Sequence, residues 1–248
     1  MILIKNKREI ELIRTAGQKL ASLMIQLENV VQAGVSTWDI EQYVSQYLQE
    51  KKLKGECKGY GGYPCVSCIS VNDVVVHGIP QKDIVLKNGD FVKVDVVGSF
   101  NGFCADMARG FFVGNCDPLV INLDKIARES FFAGFEKIKP GVRLSDISHA
   151  IESYVVKNNF YVVREFAGHG IGRKIHEDPE IPNFGKPGNG PILREGMVLA
   201  IEPMITSRPC RVIIEADGWT ARTSNGALAA HFENTVVVTS FGAEILTE

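Results

Sequence analysis

An internal repeat constrains the fold of this chain more than any other feature of its sequence. The segment "AGVSTWDIEQYVSQYL" (33–48) resembles "PGVRLSDISHAIESYV" (140–155), with a constant shift of 107 positions between equivalent residues. The same shift aligns "LKNGDFVKVD" (86–95) with "LREGMVLAIE" (193–202). A constant shift over two separate blocks indicates two related halves, approximately 1–116 and 117–248, which we interpret as parts of a single domain, 1–248.

Each half reads as helices followed by strands. Apolar residues recur at helical spacing in 6–31, where Asn6 and Glu9 form a capping-box pattern, and again in 36–52, a helix predicted to end by Gly55. The second half repeats this with helices near 118–138 and 144–158. Strand-like runs follow in both halves: "CVSCISV", "DVVVHGI", "DFVKVDVV" and "FCADMARGFFV", then "FYVVREF", "MVLAIEPM", "RVIIEA" and "NTVVVTS". This order predicts an α/β chain of the α+β type, with pseudo-two-fold symmetry and one curved antiparallel sheet flanked by helices.

Composition and charge exclude several classes of protein. The formal net charge of −2 gives no general attraction to nucleic acid or to an anionic membrane. The first residues lack the apolar region and cleavage site of a signal peptide, and no apolar run approaches the roughly 20 residues of a membrane span. The six cysteines include a single CxxC pair, which favours reduced, mostly buried thiols over a metal ribbon. We therefore expect a soluble, cytoplasmic protein.

The stretch "EFAGHGIGRKIHEDPEIPNFG" (165–185) contains two histidines, His169 and His176, among glycines, charges and prolines. Glycine and proline at this density predict a shaped loop rather than a regular helix or a central strand. Loops carry functional residues more often than cores do. The two histidines are therefore candidate site residues.

A pair of aspartates lies on a predicted hairpin. The run "DFVKVDVVGSFNGFCADMARGFFV" reads as two strands whose turn centres between Phe100 and Asn101. This register places Asp95 opposite Asp106, with Cβ atoms roughly 5 Å apart. Two like charges in a mostly buried hairpin are destabilising unless a positive group lies between them. We interpret the pair as part of a metal site.

The repeat extends this site to the second half. The shift of 107 maps Asp95 onto Glu202, an acid in the apolar run "MVLAIEPM", and a buried carboxylate without a partner is costly. By inference, Asp106 corresponds to Glu233 on the last long strand. Four carboxylates balance two divalent ions, with one imidazole as the natural fifth ligand. An oxygen-rich set suits Mn(II), Fe(II) or Co(II), and two ions roughly 3.5–4 Å apart can deprotonate a bridging water.

These residues resemble the type I methionine aminopeptidases. The resemblance covers essentially the whole chain, in order, and is carried by "GYGGYPCVSCISVN", "DVVVHGIP", "VDVVGSFNGFCADMARGFFV", "GHGIGRKIHEDPEIPNFG", "MVLAIEP" and "DGWTARTSNGALAAHFENTVVV". It implies the pita-bread fold, whose internal pseudo-symmetry agrees with the repeat. It also implies one catalytic domain that removes the N-terminal methionine from new polypeptides and peptides.

The resemblance also implies roles for individual residues. Two divalent metal ions, with zinc as a further candidate, would be held by Asp95, Asp106, His169, Glu202 and Glu233, of which Asp106 and Glu233 would bridge them. Glu202 would accept the proton of the attacking water and pass it to the departing amine. His176 would stabilise the oxyanion, and His77 would contact the substrate near the scissile nitrogen.

The same resemblance implies a pocket for the methionine side chain, formed by Cys57, Tyr60, Tyr63, Cys68, Ile175 and Trp219. Ile175 stands where the family often has an aromatic residue, Asn234 where histidine is frequent, and Val76 where cysteine is frequent; none of these changes removes a ligand. The backbone carbonyls of Asn72 and Val74 would match a monovalent cation site.

Two other functions stay open from the sequence. One is a prolidase-like peptidase of the same fold, and the other is a non-catalytic module that holds a peptide in its cleft. A module of that kind should have lost metal ligands, whereas all five are present. The expected partners are polypeptide N-termini, with the ribosome as a further candidate, and neither nucleic acid nor membrane. We expect a monomer.

Overall fold

Four helices flank the sheet in the computed structural model, which describes residues 1–248. They are α1 (Lys7–Leu27), α2 (Thr37–Glu50), α3 (Pro118–Phe135) and α4 (Leu144–Lys157). The capping box predicted at the start of α1 is present: the Asn6 side chain accepts from the Glu9 N–H, and the Glu9 carboxylate accepts from the Asn6 N–H. None of the four helices combines the length and the apolar character needed to cross a bilayer.

The predicted helix 36–52 corresponds to α2 and ends two residues early, but Gly55 is not the residue that ends it. The helix stops at Glu50, and Lys52 adopts the left-handed conformation with φ of 56°. Gly55, expected to end the helix, lies instead in a short strand that pairs with the main sheet. The chain therefore leaves the helix through Lys52, a residue type that sequence rules do not favour at positive φ.

Fifteen strands complete the fold. In the first half they are β1 (Lys54–Gly55), β2 (Cys68–Val71), β3 (Val74–Val76), β4 (Phe91–Phe100) and β5 (Phe103–Phe112). In the second half they are β6 (Tyr161–Val162), β7 (Ala167–Gly170), β8 (Glu177–Pro182), β9 (Val198–Ile201), β10 (Met204–Thr206), β11 (Val212–Ile214), β12 (Ala221–Thr223), β13 (Ala229–His231), β14 (Glu233–Val238) and β15 (Ala243–Ile245). The predicted strand "FYVVREF" is reduced to the two residues of β6, and "MVLAIEPM" is divided into β9 and β10.

The main sheet runs through both halves. Its order is β1-β4-β5-β14-β9-β7-β8, with β2 paired to β4 and β15 paired to β14, and every pairing is antiparallel. The halves meet where β5 pairs with β14. Two three-stranded sheets, β13-β10-β6 and β11-β12-β3, lie beside it. This mixed architecture with a curved antiparallel sheet is the predicted fold class.

The repeat predicted from the sequence is also visible in backbone hydrogen bonds. The N–H of Gly34 donates to the Leu86 carbonyl at 2.9 Å, and 107 positions later the N–H of Gly141 donates to the Leu193 carbonyl at 3.0 Å. An isolated bridge joins Ser36 to Val85 in one half, and another joins Arg143 to Ile192 in the other. Each half thus ties the start of its second helix to the segment before its long strand. The pseudo-symmetry is confirmed.

The core follows the same division. One apolar cluster packs α1 and α2 against β4 and β5, with Leu20, Leu23 and Val94 fully buried. A second cluster packs α3 and α4 against β9 and β14, with Phe131, Ile147 and Leu199 fully buried. Burial on this scale stabilises each helix pair by about 1.5–3 kcal/mol for every large apolar side chain removed from water. The opposite face of the sheet is left free to form a cavity.

The register predicted for the β4–β5 hairpin is wrong by two residues. Asp95 pairs with Ala108, and Asp106 pairs with Val97. The turn consists of Asn101 and Gly102, both at positive φ, so it centres one residue later than predicted. An Asn-Gly pair with this conformation is a preferred two-residue hairpin turn because its twist matches that of the strands.

The stretch 165–185 is only partly the irregular loop that its composition predicts. Residues 171–176, which include His176, are outside the strands, whereas the rest contains β7 and β8, and β7 is an interior strand between β8 and β9. The glycines serve close packing: a Cβ on Gly168 would lie 2.5 Å from the Ala200 carbonyl oxygen, and one on Gly170 would lie 2.1 Å from that of Asp178. Glycine here permits neighbouring backbones to approach, which a reading based on turns does not consider.

Candidate metal centre and substrate cavity

A cavity of about 230 Å³ opens on the concave face of the main sheet. All five residues predicted as metal ligands line its floor: Asp95, Asp106, His169, Glu202 and Glu233. They come from β4, β5, β7, the end of β9 and the start of β14. The structure therefore brings together residues separated by up to 138 positions, as counted from 95 to 233.

The carboxylates meet because of how three strands pair. Ala108 on β5 pairs with Asp95 on one side and with Glu233 on the other, so these residues form one row across β4, β5 and β14. The small alanine side chain leaves room between the two acids. Asp106 lies on the same face, two residues before Ala108, and its backbone is fixed by Thr235, whose hydroxyl accepts from the Asp106 N–H (2.8 Å) and donates to the Asp106 carbonyl (2.9 Å).

The correspondence between the halves differs from the predicted one. The pair Val97 and Asp106 in the first half is equivalent to the pair Met204 and His231 in the second, because Val97 and Met204 are 107 positions apart. Asp106 therefore corresponds to His231, not to Glu233. Glu233 corresponds to Ala108, which carries no functional group. The match of Asp95 with Glu202 is retained, so the cluster is less symmetric than the sequence suggested.

His169 presents a free nitrogen to this cluster. Its Nδ1 lies 3.0 Å from the Gly170 carbonyl oxygen, an acceptor, so Nδ1 carries the proton and Nε2 keeps its lone pair. Nε2 lies 3.5 Å from Glu202 Oε1 and 3.8 Å from Asp106 Oδ2. Burial lowers the pKa of His169 to about 3, so the ring is neutral at physiological pH. A neutral imidazole facing two carboxylates is a suitable metal ligand.

One oxygen of each of three carboxylates lacks a hydrogen-bond partner in the protein. Asp95 Oδ1, Asp106 Oδ1 and Glu233 Oε1 are buried and have no hydrogen-bond partner. Burial, and next the charge of Asp106, raise the pKa values of Asp95, Glu202 and Glu233 well above their ordinary range. Burial raises the pKa of Asp106 to about 6. Since buried polar atoms are almost always paired, this donor set fits cations: ligand atoms of Asp106, His169 and Glu233 lie within 4.8 Å of one another.

The other two predicted catalytic histidines lie beside the floor. The rings of His169 and His176 meet edge to face at 4.3 Å. His77 follows β3 with φ of 59° and packs edge to face on Phe166 at 5.4 Å. Burial, and to a smaller extent the charge of His176, lower the pKa of His77 to about 4. All three rings are therefore uncharged near pH 7, and each can donate one N–H.

The predicted methionine pocket forms one wall of the same cavity. Its lining includes Cys57, Tyr60, Tyr63, Cys68, Ile175 and Trp219. Tyr63 and Trp219 meet edge to face at 5.2 Å, and the Tyr63 hydroxyl donates to the carbonyls of Ser67 and Gly78. Cys68 pairs with Asp95 across β2 and β4, so the apolar wall begins directly beside the acidic floor.

Several further observations were not available from sequence motifs. The cavity is also lined by Val76, Val97, Phe166 and Met204. Asn234 does not line it; its side-chain oxygen accepts hydrogen bonds from Arg109 and Thr247.

The Asn72 carbonyl, predicted to help hold a monovalent cation, accepts hydrogen bonds from the buried Lys93 ammonium at 2.8 Å and from the Ala229 N–H at 3.1 Å. A monovalent ion there would have to share this oxygen with a lysine, which is a poor fit.

Buried carboxylates and an imidazole at the floor of a cavity, with an apolar wall beside them, are typical of metal-dependent hydrolases. Residues 11–240 match metallopeptidase family M24. The chain belongs to this family and therefore to the hydrolases that use divalent metal.

Individual relatives agree with this assignment. The methionine aminopeptidase of Clostridium perfringens is 47% identical over 247 residues, covering 100% of this chain and 99% of the relative. The crystal structure of the methionine aminopeptidase from Thermotoga maritima superposes with a TM-score of 0.98 at 45% identity and covers 100% of both chains. The prolidase from Pyrococcus furiosus (TM-score 0.81, 23% identity, 99% of this chain and 65% of the other) shares the fold. The predicted resemblance to type I methionine aminopeptidases is confirmed.

Proposed function

We propose that the protein removes the N-terminal methionine from peptides and newly made polypeptides. The observation that carries this proposal is the contact between two surfaces of one cavity: the acidic floor and the apolar wall of Tyr63, Cys68 and Trp219. A cavity with a volume of about 230 Å³ suits a single large apolar side chain next to the bond that is cut. A linear thioether side chain fits such a wall, since sulfur packs favourably on aromatic edges.

In this proposal Asp95, Asp106, His169, Glu202 and Glu233 hold two divalent ions, with Mn(II), Fe(II) or Co(II) favoured by the oxygen-rich set and Zn(II) as a further candidate. When bound, such ions supply an activated water and polarise the carbonyl of the scissile bond. As the family resemblance implies, Asp106 and Glu233 would contribute to holding both ions. A monovalent cation at Asn72 and Val74 stays a prediction and takes no part in the proposal.

Three residues of the cavity would carry out proton transfer, stabilisation of the oxyanion and contact with the substrate. Glu202 Oε1 lies 3.5 Å from His169 Nε2. Burial, and next the charge of Asp106, raise the pKa of Glu202, so it is suited to accept a proton and return it to the leaving amine. His176 would donate an N–H to the carbonyl oxygen as negative charge develops there. His77, held by Phe166, would contact the substrate near the scissile nitrogen.

A second, larger groove of about 930 Å³ continues from the cavity and shares Phe166, His169 and His176 with it. Its other residues carry both signs of charge, among them Arg173 and Glu180. The groove is the natural path for the polypeptide that follows the methionine. Mixed charge along it favours no single sequence, as expected of an enzyme that acts on many chains. We propose that it works as a monomer in the cytoplasm, on chains as they leave the ribosome.

The test is release of free methionine from a Met-Ala-type peptide, compared with hydrolysis of an Xaa-Pro peptide. Activity on the first should disappear on chelation and return when Mn(II) or Co(II) is added back. Preference for the Xaa-Pro peptide would instead assign the chain to the prolidase type of activity. Binding of the peptide without turnover in the metal-loaded protein would support a non-catalytic module.

A further inference from the structure

His231 is a buried histidine beside the acidic floor to which no role has so far been given. It ends β13 two residues before Glu233, and its side chain is 2% exposed. Its Nε2 atom is buried and has no hydrogen-bond partner. Nε2 lies 3.5 Å from Glu202 Oε2 and 3.8 Å from Glu233 Oε2. A buried ring nitrogen that faces two carboxylates without a partner is unusual and requires a physical explanation.

The Glu202 carboxylate lies between two imidazoles. His169 Nε2 is 3.5 Å from Oε1, and His231 Nε2 is 3.5 Å from Oε2. The two rings differ in what else they face: His169 lines the cavity together with all four carboxylates, whereas His231 does not. His231 therefore approaches Glu202 from behind the floor. This placement is that of a group that supports a ligand, not that of a ligand itself.

The protonation of the ring follows from its neighbours. Both atoms that face Nε2 are carboxylate oxygens, which accept hydrogen bonds and donate none when ionised. The tautomer with the proton on Nε2 is therefore favoured, whereas a lone pair there would be repelled. The separation of 3.5 Å is slightly beyond hydrogen-bond range, and a small rotation of either side chain brings it to the usual 2.7–3.2 Å.

We propose that His231 is a positioning residue: its Nε2–H donates to Oε2 of Glu202 and so keeps Oε1 directed at the cavity. This inference rests on the proposed function, in which Glu202 is both a metal ligand and the proton acceptor. When one carboxylate oxygen of a glutamate accepts a hydrogen bond from behind the floor, only the other oxygen is available to bind metal. A glutamate without this hydrogen bond can rotate and bind metal through both oxygens. Supporting groups behind metal ligands orient them and strengthen metal binding.

The inference is tested with two substitutions at one position. His231→Leu removes the donor and keeps the site apolar, whereas His231→Gln keeps an N–H donor at similar reach. We expect His231→Leu to bind Co(II) about 10–100-fold more weakly by calorimetric titration, the usual effect of losing such a support. The visible absorption of the Co(II)-loaded protein should change, and kcat should fall more than KM rises. His231→Gln should return the affinity, the spectrum and kcat toward those of the wild type.

Thr206→Val is the matched control. Thr206 is equally buried and lies on β10, where it pairs with Ala229 of the strand that carries His231, but its hydroxyl binds the Arg208 carbonyl, away from the floor. It should lower the thermal midpoint without changing the Co(II) spectrum. This separates a general loss of packing around β10 and β13 from a specific effect on Glu202.

Each other outcome contradicts the inference in a recognisable way. Wild-type affinity and spectrum in His231→Leu would show that Glu202 needs no support. Loss of metal and an altered spectrum in both His231→Leu and His231→Gln would show that His231 is itself a ligand. A wild-type protein that binds no divalent metal, or releases no methionine, would overturn the proposed function as well, and the wild-type arm of the experiment shows this directly.

Discussion

The hydroxyl oxygen of Tyr60 lies 2.6 Å from Nδ1 of His176, and the two rings meet edge to face at 5.0 Å. Burial lowers the pKa of His176, so its ring is neutral near pH 7. When the phenol donates to Nδ1, that ring nitrogen carries no proton and the proton of His176 is on Nε2. This is the tautomer needed for a donor to a developing oxyanion.

Loss of this contact should slow the reaction without removing it. Tyr60→Phe should lower kcat about tenfold, equivalent to about 1.4 kcal/mol, because the tautomer and orientation of His176 are no longer fixed. Steady-state kinetics on a Met-Ala-type peptide measure this. Tyr43→Phe removes a comparable hydrogen bond, to Gln26 on the helical surface, and should leave kcat unchanged. An unaltered kcat in Tyr60→Phe would show that the contact has no part in turnover.

Removal of His176 should have a larger effect. His176→Ala should lower kcat by roughly 10²–10³, the usual result of losing an oxyanion donor. Metal content, measured by atomic emission on the purified protein, should stay at the wild-type value. In His169→Ala the metal content should fall instead. If the variant at position 176 lost metal and the one at 169 kept it, the roles of the two histidines would be exchanged.

Asp95→Asn should abolish metal-dependent turnover. The amide is a weak ligand, and Asp106 and Glu233 then lack the fourth carboxylate that completes the floor. Asp124→Asn is a matched control, because Asp124 is also a partly buried acid with a buried, unpaired Oδ1 and a pKa raised by burial to about 6, but it lies on α3 outside the cavity. It should keep the wild-type rate and metal content. Wild-type metal content and rate in Asp95→Asn would refute the centre.

The stability of the protein should fall with rising pH when metal is absent but not when metal is bound. The pKa values of Asp95, Glu202 and Glu233 are raised in the folded, metal-free protein, chiefly by burial. An acid with a raised folded pKa stabilises the fold at low pH, and this contribution is lost as pH rises through the folded value. Above about pH 7.5, one unit beyond the ordinary pKa of histidine, the buried histidines are neutral in folded and unfolded forms alike and add almost no slope.

The thermal midpoint of the metal-free protein should therefore fall as pH rises above about 7.5, where histidine no longer titrates. Divalent ions bind the deprotonated carboxylates, so the loaded protein should not show this loss. Differential scanning calorimetry at a series of pH values, with and without Mn(II), gives both curves. Parallel curves would mean that the acids of the floor are not the groups that bind the ions.

The wall of the cavity predicts a change in specificity. Ile175 is buried and lines the same cavity as Tyr63 and Trp219. A branched aliphatic side chain lacks the flat face that grips a thioether, and sulfur–aromatic contacts contribute about 0.3–1.5 kcal/mol. Ile175→Phe should therefore raise the ratio of kcat/KM for methionine over leucine at the first position of the peptide, with metal content unchanged. An unaltered ratio would show that position 175 does not select the side chain.

The sequence predicted the composition of the floor in spite of an error in strand register. Asp95 and Asp106 were expected to face each other, and the hairpin turn moved the pairing by two residues. Side chains alternate between the faces of a strand, so a shift by two residues keeps both acids on the same face. A shift by one residue would have put them on opposite faces. The prediction that both aspartates belong to one site was therefore correct although the predicted pairing was wrong.

Other features lay beyond the reach of sequence patterns. The repeat is interrupted between Glu202 and Glu233, where the second half has a longer connection than the first, so the equivalence of Asp106 with His231 appears only from strand pairing. The sequence did offer one indication that His231 lies near the floor: it stands two positions before Glu233, so both side chains would point to the same face of a strand. Strand β7 was missed because its glycines serve close packing between strands, whereas glycine in a sequence is usually read as a turn.

Because the metal-binding residues come from both halves of the chain, the floor can be completed only late in synthesis and folding. Asp95 and Asp106 are made early in synthesis, whereas Glu233 belongs to β14, which joins the sheet by pairing with β5. Since polypeptides are made from the N-terminus and tend to fold in that order, the first two acids lie together on the β4–β5 hairpin before β14 joins the sheet. Metal can be captured only as a late event, after the central strand pair has closed. A product of interrupted synthesis would therefore carry half of the acids but none of the activity.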